Sequence, residues 1–423
     1  MKVQSIRGTH DILPGSVELW QKIEAQARRI FELYGYAEVR TPIFEETELF
    51  TRSIGVETDI VQKEMYTFTD SKGKGITLRP EGTAPVVRSY IEHHLQADGL
   101  VNKLYYIGPM FRRERPQKGR YRQFHQIGAE VLGSNHAAVE AELVEMLVRF
   151  LRELGVQDFR LLLNSVGCAQ CRPGYVRKLQ QEMSKYSQEL CEQCLRRAES
   201  NALRVLDCKV PSCQPVIERL PSILDHLCEA CREHFSLFLR YLDLQAIRYQ
   251  IEPRLVRGLD YYVRTTFEIQ SDRLGPTQNA LLGGGRYDRL SEILDGPPVS
   301  GVGFALGMER LVLLLSGREE IGAAYAPPSP DIFLAYIGES ALEEAFSLAA
   351  YLRQQEVFAY LDFEGRSLKA QMRQANRLQS RFTCIIGEEE IKTGRFTLKR
   401  MSDGEQWTVG REDLAVRVRE IIG

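Results

Sequence analysis

Three groups of residues in this chain have the types and spacing to do chemistry. The first is cationic. Between an apolar run ending at Met110–Phe111 and another from Ile127 to Leu132 stand Arg112, Arg113, Arg115, Lys118, Arg120 and Arg122, offset only by Glu114, with Pro116 and Gly119 marking a turn. So much like charge on one hairpin repels itself unless an anion sits there. Arg310 adds a guanidinium at the start of the helical run RLVLLLS, where the helix dipole already favours a phosphate tail. The second group offers acceptors. Arg79-Pro80-Glu81-Gly82-Thr83 reads as a turn followed by a helix capped by Thr83, and Glu81 and Thr83 offer oxygens to an ammonium group held beside the turn. The third group is thiols. Eight of the nine cysteines fall in one segment as Cys168/Cys171, Cys191/Cys194, Cys208/Cys213 and Cys228/Cys231, spacings that let both thiolates of a pair face one tetrahedral ion. Taken in sequence order they make two four-cysteine sites, the first two pairs in one and the last two in the other. Structural zinc is the leading expectation, with disulfides and free thiols as alternatives.

The elements that position these residues follow from periodicity. Trp20, Ile23, Ala27, Ile30, Phe31 and Tyr34 form one apolar helix face, and Gly35 suits the left-handed position that ends it. Tyr36 to Phe44 reads as a strand interrupted by Pro42, which cannot donate to a central ladder. A helix over Val139–Leu154 and a strand over Asp158–Leu163 follow, then the helical cysteine-rich segment. Beyond the proline-rich joint at 324–330, strands and helices alternate. At 423 residues the chain can bury two or three cores, and 43% hydrophobic with 26% charged residues gives no sign of disorder. Net charge is −2, so any nucleic-acid contact must use local basic patches. No apolar run is long enough to span a membrane, and Met1–Gly15 has no signal-peptide pattern. Nine cysteines without an export signal point to a reducing compartment, and the expected location is the cytoplasm.

Read in order, these segments resemble the class II aminoacyl-tRNA synthetases, in the form found in histidine–tRNA ligases. The helix, Gly35-Tyr36, strand and Pro42 look like the first class II motif, and Tyr105–Gly133 like the second. Arg254-Leu-Val-Arg257-Gly-Leu-Asp260-Tyr-Tyr is similar to a motif peculiar to histidine–tRNA ligases, and Gly301–Arg310 looks like the third class II motif. The resemblance implies an α+β catalytic domain with an antiparallel sheet, in two halves at 1–163 and 243–323. Between them lies the helical insertion at 164–242. After the linker at 324–330 comes an α/β anticodon-binding domain with a mixed sheet at 331–423.

It also implies a two-step reaction: histidine and ATP give histidyl-adenylate and pyrophosphate, and the terminal hydroxyl of the histidine tRNA then takes the histidyl group. Arg112 and Arg257 would be the catalytic cations on the α-phosphate. Glu114, Arg120, Phe124 and Arg310 would complete the ATP site, with Arg310 on the γ-phosphate and Mg2+ between the β- and γ-phosphates near Glu114. Glu81, Thr83 and Gln126 would hold the α-amino group of L-histidine. Glu130 and Tyr261 would take the two ring nitrogens, with Tyr262 lining the pocket. Gly283-Gly-Gly would let backbone approach the adenylate, and the GK[ST] ending of a Walker loop is missing. The nucleophile belongs to the substrate, so no protein triad is required. The resemblance further implies a homodimer built on the first motif, and it neither supports nor excludes zinc at the cysteines. A rival within the same fold is the catalytically silent paralogue that regulates ATP phosphoribosyltransferase. Retention of Arg112, Arg257, Arg310 and a full C-terminal domain argues against it. Glu130 and the Tyr261-Tyr262 pair argue against a ligase for another amino acid.

Overall fold

The computed structural model describes residues 3–56, 58–97, 99–275, 279–316 and 329–422. It divides into two compact units, Met1–Tyr325 and Ala326–Gly423. Of the linker expected at 324–330, residues 324–328 lie outside the described residues.

The first unit is built on an eight-stranded sheet. In spatial order its strands are Ala37–Glu38, Asn102–Phe111, Gln123–Leu132, Gly301–Gly307, Ala280–Arg286, Val263–Gln270, Arg160–Ser165 and Gln250–Ile251. The six inner strands are antiparallel, as expected, but the two-residue strand at each edge pairs in parallel. The helix Val17–Leu33 lays Ile23, Ala27, Ile30 and Phe31 on this sheet. Phe31 meets Phe150 of the helix Ala137–Glu153 and the edges of Tyr105 and Phe304, so both helices and two strands share one aromatic knot.

The strand expected over Tyr36–Phe44 is two strands. Ala37–Glu38 joins the large sheet, whereas Phe44–Glu46 joins a separate three-stranded sheet beside Ile76–Leu78. Pro42 lies at the break, where a residue without an N–H cannot continue a ladder. Arg79 ties the bend down, donating to the carbonyls of Thr41 and Pro109, each at 2.9 Å.

After Ser165 the chain leaves the sheet for the cysteine-rich helices, whose apolar core includes Tyr175, Leu179, Val205 and Ile217 together with the buried thiols. The last of them, Glu229–Leu244, returns along Ala137–Glu153 and carries His234 to Glu140 at 3.0 Å. Glu140 is fully buried, and so is its partner Arg286. Thr265 donates to the same carboxylate at 2.9 Å, and Arg286 also reaches Asp288 at 2.8 Å and the Ser134 carbonyl at 3.2 Å. Burial disfavours the charge on Glu140, but Arg286 and His234 outweigh it and hold the carboxyl below its ordinary range.

The second unit has a five-stranded mixed sheet in the order Ala359–Leu361, Ile332–Tyr336, Phe382–Ile386, Arg395–Arg400, Gln406–Gly410. Its first three strands are parallel and the last two antiparallel. The buried amide of Gln371 closes the end of the central strands, accepting from Tyr336 N and donating to Tyr336 O, each at 2.9 Å. No helix among the described residues is long and apolar enough to cross a membrane.

Removing one member of the buried pair leaves an uncompensated charge. Arg286→Met should therefore cost about 3–5 kcal/mol of the first unit's stability. Urea unfolding of the full chain checks this, and a midpoint within error of wild type would show that the pair is dispensable.

Candidate active site

The basic hairpin is a long antiparallel ladder whose tip turns at Lys118-Gly119, with Gly119 at φ +76°. Arg112, just past the end of the strand Asn102–Phe111, lies over Phe124 of the facing strand, and the guanidinium is 5.2 Å from the centre of the ring. Arg112 Nε donates to the Pro80 carbonyl at 2.9 Å, so the hairpin is fastened to the Arg79–Thr83 turn. Glu114 lies between Arg112 at 3.8 Å and Arg120 at 3.2 Å. Arg310, in the first turn of the helix Met308–Ser316, donates to the Ala280 carbonyl. Burial, and then the like charges of Arg120 and Arg112, make the Arg310 proton easier to lose, which puts all three cations in one field. Arg257 pairs with Glu268 on the strand beside Gly283. Burial opposes its charge, but Glu268, with Tyr262, Asp207 and Tyr261 added, more than offsets that. Gly283 has no side chain where any Cβ would overlap this guanidinium, and Arg257 Nε is buried without a partner.

Beside the cations lies a buried group of acceptors. The helix Thr83–Glu92 is capped by Glu81 and not by Thr83: the Glu81 carboxylate accepts from Thr83 N at 2.7 Å and Ala84 N at 2.9 Å. The Thr83 hydroxyl is thereby freed to donate to Glu130 Oε1 at 2.7 Å, and Tyr287 donates to Glu130 Oε2. Glu130 has no exposed surface, and burial pushes its carboxyl up to about 8, the two hydroxyls acting against the shift and Glu81 with it. Glu81 is also raised, chiefly by burial. Gly303 stands directly across from Glu130 in the neighbouring strand, and a Cβ there would fill the space its carboxyl occupies. Gln126 shares the Glu130 face of the strand and is buried, with its amide oxygen lacking a partner. Tyr261 and Tyr262 pack with ring centres 4.8 Å apart, and Tyr261 meets the Tyr287 ring edge-on at 5.7 Å. Burial lifts the Tyr262 phenol to about 12, against the pull of Arg257.

Three residues of this group were not singled out in the sequence. Tyr287 holds Glu130, Glu268 holds Arg257, and the Tyr106 ring lies between Gly82 and Gly128 with a buried hydroxyl that has no partner. A signal for Tyr106 was present, since two glycines in separate motifs must both leave room for something. Its identity depends on a register that spacing does not reveal.

The thiols gather in two clusters, but not in sequence order. Cys168, Cys171, Cys228 and Cys231 form one, and Cys191, Cys194, Cys208 and Cys213 the other, so one site is nested inside the other along the chain. In each cluster all four sulfurs lie within 4.8 Å of one another. Cys168 Sγ is 3.8 Å from Cys171 Sγ and 3.7 Å from Cys228 Sγ, Cys171 and Cys231 are 3.8 Å apart, and Cys191 and Cys208 3.9 Å. A tetrahedral ion with Zn–S bonds of about 2.3 Å sets its sulfurs about 3.8 Å apart. A disulfide requires about 2.05 Å. The donor set and its spacing therefore fit zinc.

Comparison with known proteins places this geometry among relatives. The family profile described as Histidyl-tRNA synthetase matches residues 8–311, and the one described as Anticodon binding domain matches residues 331–421. The histidine–tRNA ligase of Geobacter metallireducens is 52% identical over 414 residues, covering 98% of this chain and 98% of the relative. That of Syntrophotalea carbinolica is 50% identical over 414 residues, covering 98% and 97%. The crystal structure of apo S. aureus histidyl-tRNA synthetase superposes with a TM-score of 0.83 at 38% identity, covering 99% of this chain and 100% of that one.

The Glu130 carboxyl binds a proton in the folded chain that the unfolded chain has already released, between its ordinary value of 4.5 and about 8. Its contribution to stability is thus fully present below the lower value and is lost as pH rises through the higher one. Glu130→Gln cannot ionise, so its urea midpoint should gain on wild type as pH is raised from about 5 to about 8.5. A difference between the two chains that stays constant with pH would show that Glu130 is already ionised at the lower pH.

Proposed function

The chain belongs to the histidyl-tRNA synthetase family, and from that membership we propose that it activates histidine with ATP and passes the histidyl group to its tRNA. The observation that carries the assignment of roles is the junction of two groups with opposite needs. The cations Arg112, Arg120 and Arg310 share one field, Arg257 is linked to it through Glu268, which acts on both Arg257 and Arg310, and across the Arg112–Pro80 bond lie the carboxyls of Glu81 and Glu130, whose hydrogen-bond partners are neutral. A triphosphate suits the first group and an amino acid's ammonium the second.

In this reading Glu81, Thr83 and the unpartnered Gln126 oxygen hold the α-amino group. Glu130, with one hydrogen-bonding direction left on each oxygen beside its bonds from Thr83 and Tyr287, takes one imidazole nitrogen, while Tyr261 takes the other and Tyr262 closes the wall. The histidine carboxylate then attacks the α-phosphorus in line. A bond from that oxygen to phosphorus forms as the bond to the β-phosphate bridging oxygen breaks, and pyrophosphate leaves. Arg112 and Arg257 hold the α-phosphate oxygens where charge grows, and Arg310 and Arg120 hold the tail. Planar guanidiniums suit this because each can grip two phosphate oxygens. Mg2+ would neutralise the β- and γ-phosphates, with Glu114 beside it. In the second step a terminal hydroxyl of the tRNA attacks the adenylate carbonyl and AMP departs. The second unit is assigned to the anticodon.

The same reading makes the enzyme a cytoplasmic homodimer. Ile43 and Phe44 support the dimer, being 43% and 59% exposed beside Pro42 in the first-motif segment. In this reading the domains run 1–163 and 243–323 for the two catalytic halves, 164–242 for the insertion and 331–423 for the anticodon-binding domain, and zinc occupies the two thiol clusters.

The direct test is histidine-dependent exchange of pyrophosphate into ATP, followed by charging of histidine tRNA; exchange without histidine dependence would sink the reading. Arg257→Ala should slow single-turnover adenylation by about 10²–10³, the usual cost of one lost transition-state donor. A rate within about threefold of wild type would remove Arg257 from the mechanism. Glu130→Ala should weaken histidine use by about 2–4 kcal/mol and leave the KM for ATP nearly unmoved. Unchanged histidine dependence in steady-state exchange would make Glu130 a structural residue.

A further inference from the structure

The residues from Glu252 to Tyr262 carry Arg257, Tyr261 and Tyr262 without regular helix or strand. The loop is held from two sides: the sheet reaches it through Asn164, which donates to the Pro253 and Leu255 carbonyls at 3.2 and 2.9 Å, and through the Arg257–Glu268 pair, while a second set of bonds joins it to the cysteine-rich insertion. Arg254 donates to the carbonyls of Pro221 at 2.9 Å and Glu218 at 3.2 Å. Asn201 donates to Asp260 Oδ1 at 2.9 Å. Arg172 donates to the Tyr262 carbonyl, and also to Val166 O at 3.0 Å and Gly167 O at 3.3 Å. Two of these groups are tied to the thiol clusters. Arg172 follows Cys171 of the outer cluster directly. Asn201 ends the helix Glu192–Ser200, which starts on Cys191 of the inner one.

The insertion is poorly equipped to hold that shape alone. Its helices Glu192–Ser200 and Gln214–Arg219 have 9 and 6 residues, too few to persist without tertiary support. Buried cysteines make up part of its small core. The sulfurs are also dressed as metal thiolates: backbone N–H groups of Gln170 and Val210 point at Cys168 Sγ and Cys208 Sγ, both at 3.4 Å, and those of Cys168 and Cys191 at Cys171 Sγ and Cys213 Sγ, both at 3.2 Å.

We propose that a zinc ion in each nested tetrathiolate cluster locks the insertion into a brace for the 252–262 loop, so that metal content controls how well histidine is positioned for activation. The proposal rests on the zinc and histidine readings above and adds the mechanical link. Arg172 is a positioning residue in it: it touches neither substrate and acts through the Tyr262 backbone. Its guanidinium spans three carbonyls, a reach that lysine matches only in part.

The experiment uses full-length chain purified without chelators. Metal analysis should find two zinc ions per chain in wild type and in Arg172→Ala, and one in the double variant Cys228→Ser/Cys231→Ser. In pyrophosphate exchange, Arg172→Ala and the double cysteine variant should each raise the KM for histidine about 10-fold, as expected when reacting groups lose their placement, with the KM for ATP moving less than about threefold. Arg172→Lys should recover part of the loss. Wild-type protein without zinc would overturn the metal assignment, and absence of exchange in wild type would overturn the histidine reading. Arg172→Ala with two zinc ions and an unchanged histidine KM would overturn the brace alone. If the double cysteine variant fails to fold, the Arg172 pair still decides the link, because all eight thiols remain in place.

Discussion

The buried pair of Glu140 and Arg286 is the constraint on which the catalytic unit turns. Taking both ions out of water is costly, and bonds between them and from their neighbours offset this, reaching every polar atom of the pair except Arg286 Nη2, which is buried without a partner among the described residues. Those neighbours come from far along the chain: Ser134 at the mouth of one helix, His234 on another, Thr265 on the adjacent strand. Arg286 ends the glycine strand, and the next residue is Tyr287, which holds Glu130. Shifting that strand by one residue would turn Arg286 away from Glu140, take Gly283 from Arg257 and carry Tyr287 away from Glu130 at once. The ion pair thus sets the register in which both halves of the site are read.

The site itself is built against its own electrostatic comfort. The like charges of Arg112 and Arg120 act against Arg310, and two carboxyls sit buried with only neutral hydrogen-bond partners, Arg112 acting on Glu81 from a distance. Neither group would be stable in isolation. Each is held by a scaffold of backbone bonds, such as Arg112 on Pro80 and Glu81 on the start of its helix. Under the proposed function, a substrate carrying both an ammonium and an attached path to phosphate would relieve the two imbalances together. Groups held this way would not have to reorganise when charge moves, which is the advantage of fixed dipoles and ions over water.

Much of this was legible in the residues. Arg112, Glu81, Arg257 and Arg310 could be picked out because each stands in a distinctive local pattern, and the structure places Arg112 against the turn that carries Glu81 and Arg257 beside the glycine strand that Arg310 also reaches. Periodicity foresaw the helices Val17–Leu33 and Ala137–Glu153 of the first unit and the alternation of the second. What was hidden depends on partners distant in sequence. Four cysteine pairs of similar spacing say nothing about which pair meets which, and only the return of the helix beginning at Glu229 brings Cys228 and Cys231 back to Cys168 and Cys171. Thr83 looked like the cap because its type fits. Glu81, two residues earlier, reaches both N–H groups and leaves the hydroxyl for Glu130. The break at Pro42 was visible as a proline, but that its two sides enter different sheets follows from Arg79, thirty-seven residues on by sequence number.

Nesting of the thiol clusters has a further consequence for how the chain assembles. The inner cluster joins Cys191 to Cys208 across a separation of 17 residues, whereas the outer joins Cys168 to Cys228 across 60. Closing the longer loop costs about 1 kcal/mol more in chain entropy. During synthesis the inner set is also complete before Cys228 has been added. Once it closes, the stretch still open between Cys171 and Cys228 is shortened, so the outer closure becomes easier than it would be on a bare chain. Because the loops are concentric, neither closure has to thread through the other. Crossed sets would have obstructed this order of assembly; concentric ones let a segment with little core of its own mature from the inside outward.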